Sequence, residues 1–212
     1  MSRSIIAIAG ASASGKTLFA QTVYKELSAE LEGRPLAVLE EDAYYRDQSH
    51  LEMSVREQTN YDHPKAFEHE LLVKHILALK SGNDVDVPVY DFANHTRGSG
   101  IRYVQAAEFI IVEGILLLSD PALRQLFDVR VFIDTPLDIC LLRRIERDTQ
   151  ERGRSFQSVA DQYKATVRPM YYEHIEPSKQ HAHIVVTGGG RNRVAIDMVK
   201  EHIKSSLRQI TI

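Results

Sequence analysis

The feature that most constrains this chain is Gly10-Ala11-Ser12-Ala13-Ser14-Gly15-Lys16-Thr17, which fits the pattern GxxxxGK followed by Ser or Thr at every fixed position. Ile5-Ile6-Ala7-Ile8-Ala9 leads into it and reads as a short buried parallel strand. Leu18, Phe19, Ala20, Val23, Leu27 and Leu31 follow at helical spacing. The glycine-rich segment therefore joins a strand to a helix. Its glycines let successive backbone N–H groups turn inward. The helix starting near Gly15 adds unpaired N–H groups and the positive end of its dipole. Residues Gly10, Ala11, Ser12, Ala13, Ser14, Gly15, Lys16 and Thr17 are thus expected to wrap the phosphates of a nucleoside triphosphate. Lys16 is expected to reach the β- and γ-phosphates and Thr17 to hold Mg²⁺. At average amino-acid usage the fixed positions match by chance in roughly one percent of chains this long, and the strand-to-helix context lowers that further.

Composition narrows the partners. A chain of 212 residues is long enough for one domain with a sizeable core. A net charge of −3 offers no footprint for nucleic acid or an anionic membrane. No apolar run approaches the ~18 residues of a membrane span, and Gly10 cuts short the apolar run that a signal peptide needs. A single cysteine, Cys140, excludes an internal disulfide and reads as a buried helix position between Ile139 and Leu141. These features predict a soluble, cytoplasmic protein that binds neither nucleic acid nor membrane.

Further along, Leu36-Ala37-Val38-Leu39 reads as a second strand after a turn at Arg34-Pro35, and it ends in Glu40-Glu41-Asp42. Residues 46–60 read as polar loop with a short helix. An amphipathic helix carrying Phe67, Leu71, Leu72, Ile76 and Leu79 is predicted to hold Pro64 in its first turn and to stop at Ser81-Gly82-Asn83. Residues 84–104 break the rhythm: Val85, Val87 and Val89 alternate with polar positions, residues 94–100 are polar, and Ile101-Arg102-Tyr103-Val104 alternates again. That is a hairpin insertion, with Pro88 at an edge. Phe109–Val112, Val129–Ile133 and Ile184–Val186 read as three more strands, with helices over 137–152, 156–172 and 194–207. Strands alternating with helices imply a parallel five-stranded sheet with helices on both sides, the α/β, three-layer fold of P-loop nucleotide-binding proteins. No internal repeat is present, and the chain reads as a single domain over 1–212.

Ligands of such sheets sit beyond the carboxyl ends of the strands. Asp42 past the second strand is placed to accept the proton of an attacking hydroxyl, against the reading of a solvated loop acid. Glu113, ending the strand Ile110–Val112, fits the acid that holds Mg²⁺, against a surface acid before Gly114. Arg143, Arg144, Arg147, Arg152 and Arg154 read as a phosphate-closing lid over about 143–156, or as a solvated face. Asp62 before Pro64 reads equally as a helix cap, His95 as a surface histidine and Tyr90 as a packing residue.

Taken together and in order, Gly10–Thr17, Glu41-Asp42-Ala43-Tyr44-Tyr45, Asn60-Tyr61-Asp62-His63-Pro64, Pro88-Val89-Tyr90 with His95-Thr96-Arg97, Glu113-Gly114-Ile115-Leu116 and Arg147-Asp148 through Glu151-Arg152-Gly153-Arg154 resemble the uridine kinase (uridine–cytidine kinase) family. The resemblance spans about residues 4–208. It implies transfer of the γ-phosphate of ATP (or GTP), with Mg²⁺, to the 5′-hydroxyl of uridine or cytidine in pyrimidine salvage. It implies Asp42 as catalytic base, beside Lys16. Arg147 would serve ATP. Asp62 and Arg144 would face the ribose, and Tyr90, His95, Arg154 and Gln162 the pyrimidine. It also implies a homotetramer inhibited by UTP and CTP. The chain departs from the family at Thr187-Gly188-Gly189-Gly190, where Pro-Arg-Gly-Gly is frequent, leaving Arg191 to serve the ATP side. The alternatives are a phosphoribulokinase-like or pantothenate-kinase-like enzyme on the same scaffold, and a nucleotide-binding regulator without transfer activity.

Overall fold

Apolar runs flanked by glycine and proline become strands here, and the central ones bury both of their faces. The structure, a computed structural model, describes residues 3–31 and 35–209, and side chains through Ser205. Arg34, half of the expected turn before the second strand, lies outside the described residues. Along the chain the strands are β1 (Ser4–Gly10), β2 (Leu36–Glu40), β3 (Val85–Asp91), β4 (Thr96–Val104), β5 (Phe109–Gly114), β6 (Val129–Asp134) and β7 (Ile184–Thr187). The helices that matter below are α1 (Lys16–Glu30), α2 (Met53–Arg56), α3 (His69–Ser81), α4 (Pro121–Arg124), α5 (Leu137–Gln150) and α6 (Phe156–Gln162). Five strands form a parallel sheet in the order β2-β5-β1-β6-β7, while β3 and β4 pair antiparallel as a separate hairpin. The chain leaves β1 towards one edge and later crosses to the other, so the carboxyl ends of β1 and β5 form the crevice where ligands bind in such sheets.

Alternation along each strand splits the core in two. Ile5, Ala7, Ile110, Val112 and Phe132 pack with Leu72, Ile76 and Leu79 of α3. Ile6, Ile8, Ile111, Val131 and Ile133 pack with Phe19, Val23 and Leu27 of α1 and with Ile196, Val199 and Ile203 of the closing helix Arg193–Gln209. Helix, sheet and helix make the three expected layers.

Three expectations are corrected. Pro64 does not open the amphipathic helix; it starts a separate 3₁₀ turn, Pro64–Ala66, and α3 begins only at His69. Phe67 is extended and lies outside the helix. The reason is tertiary: the Arg46 N–H donates to the Ala66 carbonyl at 2.8 Å and the Glu68 N–H to the Tyr44 carbonyl at 2.8 Å. That backbone pairing holds the segment extended between the two helical turns. The hairpin also turns earlier than its polar run suggests, at residues 92–95, and Thr96–Gly100 belongs to β4. Asp91 accepts from the Ala93 and Asn94 N–H groups, an Asx turn that closes the loop before the polar run is used up. Finally, the helical segment after α6 is not regular. It passes through π-helical turns at Tyr163–Val167 and Tyr171–Ile175 and reaches His181, with Pro169 and Pro177 inside it. Such widened turns relieve the backbone around proline.

Candidate active site

The phosphate loop is shaped by its backbone before any side chain acts. Ala13 stands at φ 63° and Gly15 at φ 96°, the alternation that turns N–H groups into one concavity. No side chain caps α1, which leaves its first-turn N–H groups for an anion. Gly15 is needed on a second count, because a Cβ there would stand 2.8 Å from the Gly190 nitrogen. Thr135, just past β6, donates to the Ser14 carbonyl at 2.8 Å, and Arg143 reaches the same carbonyl at 3.4 Å. The loop of Gly188 to Gly190 thus packs on the phosphate loop, with exposed Arg191 at its end.

Two acids, Glu113 and Asp42, stand at the mouth of this cradle, supplied by the ends of β5 and β2. Glu113 accepts the Thr17 hydroxyl at 3.0 Å on Oε1, and its Oε2 lies 3.7 Å from Lys16 Nζ. That Oε2 is buried without a hydrogen-bond partner. Carboxylate and hydroxyl oxygens beside a phosphate cradle suit a hard divalent cation, so Thr17 and Glu113 fit Mg²⁺. Burial raises the pKa of Glu113, with Lys16 acting against the shift. Asp42 follows Glu41 in the 3₁₀ turn Glu41–Tyr44. Desolvation raises its pKa; Lys16 opposes the shift and the Glu41 charge adds to it. Glu41, by contrast, is fully buried and points away from the cradle.

Asp62 is buried and caps nothing: the turn at Pro64 is capped by His63, which accepts from the Lys65 N–H. Burial raises the pKa of Asp62, while Arg144 pulls it down and Asp42 and Asp148 push it up. Asp62, Arg144, Ser12, Leu137, Cys140 and Tyr163 line one cavity beside the phosphate loop. Arg144 donates to Ser12 Oγ at 3.1 Å and to Gln162 Oε1 at 2.9 Å, and Arg154 donates to the same Gln162 oxygen at 2.6 Å. Arg144, Arg154 and Gln162 therefore form one cluster.

Tyr61, next to Asp62 in sequence, packs towards the hairpin. Its ring stacks on His95 at 5.3 Å between centroids and meets Tyr45 edge-on at 5.5 Å. Tyr90 is buried 4.8 Å from Tyr45, which itself stacks on Phe67 at 4.2 Å. His95 is half-buried at φ 50°, and burial lowers its pKa, favouring the neutral ring, which can donate or accept. Four arginines of α5 and the segment after it are held together by one acid. Asp148 is fully buried in α5 and binds Arg147 at 2.8 Å, Arg154 at 3.3 Å, and Arg144 and Arg152 at 3.7 Å each. Arg152 also lies over the Phe92 ring at 4.8 Å, bringing this arginine-rich segment against the hairpin tip.

A family model described as "Phosphoribulokinase / Uridine kinase family" matches residues 5–195. The chain belongs to the phosphoribulokinase/uridine kinase family. A uridine kinase of Shewanella amazonensis is 57% identical over 203 residues, 96% of each chain. One of Haemophilus influenzae (strain PittGG) is 56% identical over 205 residues, 97% of this chain and 96% of that one. In three dimensions, a solved structure described as a possible uridine kinase from Bacillus stearothermophilus superposes with a TM-score of 0.56 at 21% identity, covering 87% of this chain and 89% of that one, which bears on the fold alone.

Within this family fold, Tyr45, Tyr61 and Asp148 stand beside the candidate site residues, and sequence reasoning assigned them no role. Asp148 had a signal, since it stands four residues after Arg144 and four before Arg152. The aromatic pair had none in its spacing, because Tyr45 and Tyr61 stand 16 residues apart and meet only when the chain folds residues 44–46 against 66–68.

Proposed function

We propose that this chain transfers the γ-phosphate of ATP to the 5′-hydroxyl of uridine or cytidine, giving UMP or CMP. The observation that carries the reading is near-full-length identity above one half to relatives named uridine kinase. The cleft supports it, since a phosphate cradle and an aromatic, arginine-lined cavity meet around Asp42. Lys16 and the first turn of α1 hold the phosphates of ATP, with Arg147 and Arg191 towards the nucleotide. Thr17 and Glu113 hold Mg²⁺, which when bound neutralises charge shared between the phosphate oxygens. Asp42 accepts the proton of the 5′-hydroxyl as that oxygen bonds to the γ-phosphorus and ADP leaves. Asp62 and Arg144 take the ribose hydroxyls, and Tyr90, His95, Arg154 and Gln162 hold the base. The neutral His95 ring can face a keto oxygen or an amino group by choice of tautomer, so uracil and cytosine both fit. The same reading includes GTP as a possible donor, a homotetramer, inhibition by UTP and CTP, and a cytoplasmic location. Among the described residues no helix is long and apolar enough to cross a membrane.

The test is ADP formation by the purified protein with ATP and Mg²⁺ across uridine, cytidine, 2′-deoxyuridine, adenosine, ribulose 5-phosphate and pantothenate. ADP should appear only with the pyrimidine nucleosides. 2′-Deoxyuridine should be about 10²-fold poorer in kcat/KM, because water can re-pair part of the site left by the missing hydroxyl. Turnover on the sugar phosphate or pantothenate, or no dependence on an acceptor, overturns the reading.

A further inference from the structure

Glu41 is a puzzle in electrostatics. It stands next to Asp42 and is fully buried, yet it touches no part of the phosphate cradle. A buried carboxylate is costly unless it is paired and hydrogen-bonded. Glu41 meets both conditions. Its Oε1 lies 2.8 Å from Nε2 of His69, the first residue of α3. Its Oε2 accepts the Leu116 N–H at 2.9 Å, 75 residues on. The seat is cut into the backbone at Gly114, where a Cβ would stand 2.2 Å from Glu41 Oε2. The other nitrogen of His69, Nδ1, lies 3.1 Å from Asp120 Oδ2. Asp120 is itself held, because its Oδ1 accepts the Ala122 and Leu123 N–H groups at the start of α4. Phe67 stacks on the imidazole at 5.4 Å, which fixes the ring plane.

The chemistry of this arrangement is determined by its partners. Ionised carboxylates only accept hydrogen bonds, so a ring facing one on each side must donate from both nitrogens. His69 is clamped between two acids, and against the opposing effect of burial Glu41 and Asp120 raise its pKa, which favours the imidazolium. None of the three lines the cavity beside the phosphate loop. What the clamp holds is the first residue of the Glu41–Tyr44 turn, and the second residue of that turn is Asp42.

We propose that Asp120, His69 and Glu41 form a buried positioning relay that fixes the Glu41–Tyr44 turn and so keeps the Asp42 carboxylate aimed at the acceptor hydroxyl. The proposal rests on the reading of Asp42 as the base. His69 is a positioning residue, and its effect passes through Asp42 alone. A misplacement of about 1 Å in a reacting group costs up to ~10²-fold in rate, which sets the size of the effect.

Two conservative variants separate positioning from bulk stability. His69→Gln can place its amide NH₂ where Nε2 stood and keep the bond to Glu41 while losing Asp120. His69→Asn reaches only the Nδ1 side and loses Glu41. With folding confirmed by circular dichroism, His69→Asn should lower kcat about 10- to 100-fold with KM for uridine and for ATP within about twofold. His69→Gln should recover kcat to within about threefold of wild type. Equal kcat losses in the two variants, or a rise in KM with kcat intact, overturns the relay. Asp42→Asn and the double variant Asp42→Asn/His69→Asn complete the cycle. A double variant no slower than Asp42→Asn alone supports action through Asp42. Multiplied losses overturn the relay but leave Asp42 as the base, whereas near-normal kcat in Asp42→Asn removes the base assignment and the relay with it.

Discussion

Asp42 and Gly114 show how much one position decides. If Asp42 is the base, Asp42→Asn keeps the shape of the side chain but loses its ability to accept a proton. The loss should fall on kcat, by roughly 10²–10⁴-fold, while uridine affinity measured by calorimetry stays within a few-fold. The base works ionised, and desolvation holds its pKa above the usual range for aspartate. Activity should therefore fall as pH drops through that raised value, at a higher pH than an exposed aspartate of about 3.9 would allow. The kcat/KM profile of wild type should show this acid limb, and the residual activity of Asp42→Asn should lack it. Gly114 is needed for a different reason. An alanine methyl would stand 2.4 Å from Glu41 Cβ and displace the carboxylate from His69 and the Leu116 N–H. Gly114→Ala should lower the free energy of unfolding by about 2 kcal/mol or more, read from urea titration; an unchanged midpoint would mean that Glu41 has another seat.

The arginine-rich segment from Arg143 to Arg154 is an element whose composition misleads. By charge alone Arg143 to Arg154 is a solvated basic face, but α5 turns Asp148 fully inward and gathers four guanidinium groups around it. Asp148 thus holds α5 and the segment through Arg154 as one piece, with the Arg154 N–H also donating to the Asp148 carbonyl at 3.0 Å. Burial opposes its charge, yet the arginines win and its pKa is lowered. A carboxylate with a lowered folded pKa contributes stability above its unfolded pKa of about 3.9 and loses it as pH falls through the folded value. Asp148→Asn should therefore cost roughly 3 kcal/mol at pH 7. The gap to wild type should hold steady down to about pH 5 and close below about pH 4. A gap that persists undiminished at acid pH would mean that packing, and not charge, explains the loss.

Across the whole molecule the cleft is assembled from parts that touch only in the folded state. The phosphate loop belongs to the sheet, His95 and Phe92 to the hairpin, Tyr163 to the widened helix and Arg152 to the segment just after α5. A ligand that bridges them binds the native state and not the unfolded one. At 100 times its Kd a single ligand stabilises by about 2.7 kcal/mol, which for a domain of this size corresponds to a Tm increase of roughly 5–10 °C. A non-hydrolysable ATP analogue with Mg²⁺ should give such a shift in a thermal melt, and uridine should add to it. A shift with the nucleotide and none with uridine would point to an acceptor of another kind.

The parts legible from sequence are those whose partners are neighbours along the chain. The strand, glycine loop and helix from Ser4 to Glu30 form a self-contained anion cradle, so eight consecutive residues sufficed to place it. Hydrophobic periodicity located the strands of the parallel sheet because burial on both faces leaves an unbroken apolar run. What only the tertiary structure decided depends on groups far apart in sequence. Pro64 had every local qualification to open α3, yet backbone pairing with residues 44–46 held Phe67 extended. Asp62 could have capped a helix, and only the approach of Arg144 and Ser12 put it in the cavity wall. Glu41 reads as one more acid at the end of a strand. That it lies buried between His69 and the Leu116 backbone follows from the packing of α3 and β5, because burial and pairing belong to the assembled chain and leave no trace in local spacing.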